Sequence, residues 1–291
     1  MEAWKKVTAT VHAKNCRTFS QLWHTGRSSH VDMTNGAMPV APPVVPYQET
    51  VSTPSGWVRT SPHRALGIAQ IPGVIDEYRR AAVRAKAAGF DGVELHAANG
   101  YLPDQFLQDG SNKCTDAAEA SRTDPASCWK LWRRWRRCGA AIALPCGLGP
   151  VGTWNSMSDS NPVALFDYVA NQLNRFGLAY LHVIEPRIKG NVQIEEGLQP
   201  VGAPHLRKIF NGKIIAAGGF EPDSAEAIVE KGDADLVAFG RHYLANPDMP
   251  KRIRLGQPLN PYDRATFYTR DPQGYIDYPF YDQPAAPSIA T

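Results

Sequence analysis

The chain has 291 residues, 43% of them hydrophobic and 20% charged, with a net charge of +3. That composition can bury a large core, as one α/β domain or two smaller ones, and the small net charge argues against a nucleic-acid partner. No apolar run reaches the ~20 residues that span a bilayer, and the start "MEAWKKVTATVHAKNC" lacks the apolar core of a signal peptide. The expectation is a soluble, cytoplasmic protein with no membrane partner.

In chain order, "RTFSQLWH" reads as a strand and is followed by Pro-rich loops from "NGAMPVAPPVVPYQ" to "RALGIAQIPG". "VIDEYRRAAVRAKAAGF" has apolar residues at helical spacing and closes on Gly89, a helix C-cap. "DGVELH" is a strand, "PVALFDYVANQLNRFG" a helix, "AYLHVIE" and "KIIAAGG" strands, "EPDSAEAIVEKG" a helix and "ADLVAFG" a strand. Repeated strand, loop and helix units of this size predict a parallel sheet with covering helices. Polar residues at nearly every strand's C-terminal end favour a barrel over an open sheet.

Those strand ends carry the chemistry. In "ELHAANGYL", His96 and Asn99 project from a strand end and the loop beyond it, with Tyr101 just after. An imidazole and an amide side by side can donate two hydrogen bonds to one carbonyl oxygen, and a phenol beside them can deliver a proton. A lone His or Tyr at a strand end is usually structural; the clustering of three polar groups points to a site. A second group suits an anion. "AAGGFEPDSAEA" places Gly218 and Gly219 between a strand and a helix, and "AFGRHYLANPD" places Gly240 and Arg241 at the next strand end. Glycines let backbone N–H groups approach a phosphate, arginine supplies paired charged donors, and two successive loops of this kind match a barrel's usual phosphate site.

"QLWHTGRSSH", "GFDGVELHAANGYLPDQFL", "SMSDSNP", "YLHVIEPR", "IIAAGGFEPDSAEAIVEKGDADLVAFGRHYLANPD" and "PLNPYDRATFYTRDPQGYIDYP" resemble the Old Yellow Enzyme family of FMN-dependent ene-reductases. The resemblance implies an α/β fold, the eight-stranded TIM (β/α)8 barrel, forming one flavin-binding domain over residues 1–291. It also implies hydride transfer from NADPH or NADH through FMN to the β-carbon of an α,β-unsaturated carbonyl, in a monomer or homodimer. By motif, His96 and Asn99 would hold the substrate carbonyl and Tyr101 would protonate the α-carbon. Gln21 would bond the flavin ring, Trp23 and Tyr268 would shape the substrate pocket, and Gly218, Gly219, Gly240 and Arg241 would hold the FMN phosphate.

The chain departs from the family twice. Its start resembles the family's second helix and third strand, so the first two strands are missing and the expected barrel is incomplete, with two exposed sheet edges. Residues 113–147 also lack the family's turn, acidic helix and fifth strand ending in an arginine beside the flavin. That segment contains "SCWKLWRRWRRCG", whose five cations exceed the net charge of the whole chain, and four of the five cysteines, Cys114, Cys128, Cys138 and Cys146. Their spacing is not that of a zinc site. With suitable codons, residues 118–147 read one nucleotide out of frame recover the family's turn, helix and strand in order, so a compensated frameshift is inferred. The rival reading is a selected basic amphipathic helix, with Trp129, Trp132 and Trp135 recurring every third residue. The family arginine falls near Gly147, and Pro145 sits where a central strand belongs, so weak flavin binding and poor stability are expected. Reduction of nitro compounds, nitrate esters or dienoyl thioesters on the same scaffold, and a non-enzymatic remnant, are the alternative functions.

Overall fold

The computed structural model describes residues 1–113, 146–189, 192–193 and 201–282. The basic segment, Cys114, Cys128, Cys138 and Pro145 lie outside the described residues. Among the described residues six strands form one parallel sheet: β1 (Phe19–Leu22), β2 (Gly92–Ala97), β3 (Cys146–Leu148), β4 (Leu181–Ile184), β5 (Ile214–Ala217) and β6 (Leu236–Ala238). Each strand pairs with its neighbour in chain order, the connectivity of a barrel rather than of a doubly wound sheet. The sheet curls. Phe19 on β1 packs edge-on against Tyr180 at the foot of β4, with ring centroids 5.4 Å apart, although three strand spacings in a flat sheet would separate their backbones by ~14 Å.

The fold is thus an incomplete (β/α)8 barrel. Among the described residues no strand pairs with the outer edge of β1 or of β6. Leu236 on β6 remains 56% exposed, because the sheet has not closed around it.

Eight helices among the described residues cover the outside or lead away from the strand ends: α1 (Glu2–His12), α2 (Ile71–Ala87), α3 (Leu102–Leu107), α4 (Pro162–Leu173), α5 (Ala203–Leu206), α6 (Pro222–Glu230), α7 (Arg241–Ala245) and α8 (Met249–Arg254). The helix expected from "VIDEY" onward begins at Ile71, because Pro72 suits a first turn where its missing N–H has no partner to lose. It ends before Gly89, whose φ of +90° is a left-handed cap conformation that a side chain would strain. The loops expected ahead of it contain an antiparallel hairpin, Thr50–Thr53 with Gly56–Arg59, and a short parallel pair, Val40–Ala41 with Arg64–Ala65. Helix α4 opens on Asn161, whose side chain accepts from the Ala164 N–H at 3.2 Å, and buries Phe166, Val169, Ala170 and Leu173 on one stripe.

The strand residues alternate. Val93, Leu95, Leu181, Val183, Ile214 and Ala216 point outward and are buried with Phe166, Leu173 and Leu206 of the helices. Each of these larger side chains contributes ~1.5–3 kcal/mol by leaving water. The opposite parity, Gln21, Glu94, His96 and His182, lines the concave face. The same alternation that builds the core therefore delivers the polar residues to the site.

Candidate active site

On the concave face Glu94 is a buried hub, 5% exposed. Its carboxylate accepts from Gln21 Nε2 at 2.6 Å and from His182 Nδ1 at 3.2 Å, and the Tyr180 phenol lies close enough to act on it. Burial pushes the carboxyl up, but the hydrogen bonds and charge supplied by His182, together with Gln21 and Tyr180, outweigh it and hold Glu94 below its ordinary range. The contact between β2 and β4 passes over β3, where Gly147 lies in register with both His96 and His182. A Cβ at Gly147 would come within 3.2 Å of Glu94 Oε1. The lack of a side chain there is what lets His182 reach Glu94.

With its amide N–H2 turned to Glu94, Gln21 presents its carbonyl oxygen to the concave face. His182, its Nδ1 held by Glu94, keeps Nε2 buried without a partner among the described residues. That histidine lines a cavity of about 450 Å³ shared with Gly218, Gly219, Gly240, Arg241 and Tyr268. Gly218 and Gly219 have φ of +113° and +67°, a turn that exposes backbone N–H groups and that glycine adopts without strain. A Cβ on Gly218 would strike Ile188 Cγ1 at 2.5 Å. Arg241 packs over the Tyr262 ring at 5.3 Å.

His96 stands at the C-terminal end of β2. Burial drives its imidazole down to about 4, so it is neutral at physiological pH. Its Nδ1 is buried without a partner among the described residues. Tyr101 lies edge-on to it, with ring centroids 5.0 Å apart, and Trp23 lies edge-on to Tyr101 at the same distance. Asn99, at φ +57°, turns the chain between them. Burial, with the nearby Tyr268 phenol, raises Tyr101. Trp23 and Tyr268 are 57% and 68% exposed at the rim.

The structure therefore gathers the expected residues into two joined regions. His96, Asn99, Tyr101 and Trp23 form one; His182, the glycines, Arg241 and Tyr268 form the other; the Gln21–Glu94–His182 chain links them. Sequence reasoning missed three participants. Glu94 and His182 were legible as polar residues of inward parity within strands, Glu94 two residues before His96. Asn155, whose Nδ2 donates to the Asn99 carbonyl at 2.8 Å, carried no such signal.

A curled parallel sheet with glycines and an arginine around one cavity at the ends of its last two strands, beside part-buried imidazoles, is the arrangement of a barrel enzyme with a site for a phosphorylated ligand. The chain belongs to the NADH:flavin oxidoreductase / NADH oxidase family, which it matches over residues 1–260. It is 41% identical over 302 residues to 12-oxophytodienoate reductase 1 of Oryza sativa subsp. japonica, covering 97% of this chain and 74% of that one. It is 39% identical to 12-oxophytodienoate reductase 2 of Arabidopsis thaliana, covering 96% and 75%. Among solved structures, morphinone reductase in complex with tetrahydroNAD is 39% identical with a TM-score of 0.82, covering 96% of this chain and 77% of that one. The old yellow enzyme homologue from Zymomonas mobilis is 33% identical with a TM-score of 0.87, covering 96% and 78%. The protein is an FMN-dependent NAD(P)H oxidoreductase by family.

The residues present fit FMN. The cavity lined by Gly218, Gly219, Gly240 and Arg241 suits its phosphate, and the unpartnered His182 Nε2 suits a polar ring edge. On β3, Gly147, in register with His182, supplies backbone but no charge.

Proposed function

We propose that the protein is a single flavin-binding domain that reduces the carbon–carbon double bond of α,β-unsaturated carbonyl compounds with electrons from NAD(P)H. Gly218, Gly219, Gly240 and Arg241 would hold the FMN phosphate, and Gln21 and His182 would meet the ring. FMN, when bound, takes a hydride from the nicotinamide and passes it to the substrate's β-carbon.

The chain's own residues handle the other half of the reaction. As hydride reaches the β-carbon, the double-bond electrons move onto the carbonyl oxygen, and His96 and Asn99 donate hydrogen bonds to that developing charge. A neutral imidazole can donate without surrendering its proton. Tyr101 then gives its phenolic proton to the α-carbon and recovers one from water. NAD(P)H supplies the two electrons and one hydrogen, and solvent supplies the second. Trp23 and Tyr268 would flank the substrate.

One observation carries this reading: a burial-neutralised imidazole at a strand end is in edge contact with a half-buried phenol, across a two-residue turn from an amide. Relatives named as reductases of 12-oxophytodienoate and of morphinone, both ketones by name, support it. The test is steady-state reduction of 2-cyclohexenone by the FMN-loaded protein, compared with a nitrate ester. Faster enone turnover that falls ~10²–10³-fold in His96→Ala is expected. Preference for the nitrate ester, or an unaffected His96→Ala, would refute it.

A further inference from the structure

Arg187 follows β4, on a segment that runs past the loop after β5. Its Nε donates to the Gly218 carbonyl at 2.8 Å, and its guanidinium sits over the Phe220 ring, 4.4 Å from the centroid. The two contacts therefore flank Gly219. The approach is close along this edge: a Cβ on Gly218 would lie 2.5 Å from Ile188 Cγ1 and 3.5 Å from the Glu185 nitrogen. Gly218, Gly219 and Phe220 line the cavity, as do Ile184 and Ile188, but Arg187 does not. It holds the loop from outside the cavity.

The direction of that hold matters because of the peptide it acts on. Among the described residues no peptide bond is cis, so the planar linkage from Gly218 to Gly219 points its carbonyl and the Gly219 N–H in opposite directions. With the carbonyl turned outward to Arg187, the N–H is turned toward the cavity. No hydrogen bond occupies that N–H among the described residues. A peptide between two glycines does little to fix its own orientation, because glycine takes positive and negative φ about equally readily. Flipped, it would present a carbonyl oxygen, and an anion would meet repulsion where it now meets a donor. The restraint on this peptide is supplied by Arg187.

We propose that Arg187 is a positioning residue for the phosphate site, holding the Gly218 carbonyl outward so that the Gly219 N–H stays aimed at the FMN phosphate. This rests on the reading of Gly218, Gly219, Gly240 and Arg241 as the phosphate cradle, and adds the residue that sets the polarity of its first loop. A competing role is purely electrostatic: Arg187 Nη2 is buried without a partner among the described residues, and its charge would favour an anion whatever the peptide does.

Two substitutions separate these roles. Arg187→Gln places an amide nitrogen as many bonds from the backbone as the arginine Nε, so the donor stays and the charge goes. Arg187→Lys keeps the charge and puts a methylene at that point. Flavin-free protein is titrated with FMN and, separately, with riboflavin, which lacks the phosphate, by flavin fluorescence. FMN affinity should stay within about threefold of wild type in Arg187→Gln and fall ~10–100-fold in Arg187→Lys, the range for a hydrogen bond to a charged group, with riboflavin affinity unchanged in both. Gly218 and Gly219 are the only adjacent glycines in the chain, so glycine carrying 13C at the carbonyl and 15N gives one coupled amide signal, that of Gly219. Inorganic phosphate should shift that signal in wild type and Arg187→Gln but not in Arg187→Lys. Weakening in Arg187→Gln equal to or greater than in Arg187→Lys, unchanged FMN affinity in both, or matching losses of riboflavin overturns the proposal. Should neither variant fold, the wild-type signal decides: a shift with phosphate supports the proposal and an unmoved Gly219 amide overturns it. Wild-type protein that binds riboflavin as tightly as FMN refutes the phosphate cradle and the proposal with it, whereas a wild-type preference for FMN that Arg187→Lys retains removes the role of Arg187 alone.

Discussion

Lowering the pH tests whether burial holds His96 neutral. In the unfolded chain its imidazole titrates at the ordinary 6.5, and in the folded protein at about 4. As pH falls below 6.5 the unfolded state takes up a proton that the folded state refuses, so stability is lost from about 6.5 down to about 4 and then levels off. Each pH unit in that window costs ~1.4 kcal/mol, so at about pH 5 the loss is ~2 kcal/mol relative to about pH 7.5. Asp104 works in the opposite sense. Its burial raises it from 3.8 to about 7, so its contribution to stability falls as pH rises through that range. The informative quantity is therefore a difference between two proteins that share Asp104. Urea unfolding of flavin-free wild type and His96→Gln, at about pH 7.5 and about pH 5, should show the variant gaining ~2 kcal/mol relative to wild type on acidification. Parallel pH dependences would mean that His96 is solvated or paired in its charged form, and the neutral-donor role would fall with it.

Three further outcomes follow from the same contacts. Tyr101→Phe removes the proton but little volume, so enone turnover should drop ~10²–10⁴-fold with FMN affinity unchanged, measured by steady-state kinetics and flavin fluorescence. Arg241→Gln should weaken FMN binding by ~10–100-fold, the ~1.5–3 kcal/mol of a hydrogen bond to a charged group, and leave riboflavin binding unaltered; equal loss for both ligands would place the phosphate elsewhere. Glu94→Ala leaves Gln21 and His182 without their shared acceptor, and chemical denaturation should show a loss of ~3–5 kcal/mol.

Much of this architecture was legible before any coordinates. The alternation in "DGVELHA" and "AYLHVIE" fixes which side chains face the helices, so strand existence and parity follow from the pattern. Gly218 and Gly219 after β5, and Gly240 with Arg241 after β6, read in the sequence as an anion site, and they line one cavity in the structure. What the sequence did not disclose depends on closeness across the barrel. Glu94 meets His182 only because Gly147, one strand over in each direction, carries no side chain, and no local pattern encodes a contact over an intervening strand. The expectation that Gly147 removes a flavin-facing charge says nothing of the Glu94–His182 pair that its bareness permits. Asn155 was hidden for a different reason: its contacts depend on a left-handed backbone conformation and on partners 56 and 108 positions away. The hairpin at Thr50–Arg59 was masked by neighbouring prolines, which read as loop. The three residues of β3, two of them at the end of the segment in which the family pattern lapses, pair on both sides, so the sheet runs unbroken from β1 to β6 among the described residues.

The most direct test of the central claim is an equilibrium titration of FMN fluorescence with the purified protein. Saturable quenching at one flavin per chain, with a shifted visible spectrum and the weakening given above in Arg241→Gln, is the result expected of a cradle built from Gly218, Gly219, Gly240 and Arg241 with Gln21 and His182 at the ring. Unquenched, unshifted flavin at every protein concentration would contradict it, and would leave this chain with the family's fold but without a working flavin site.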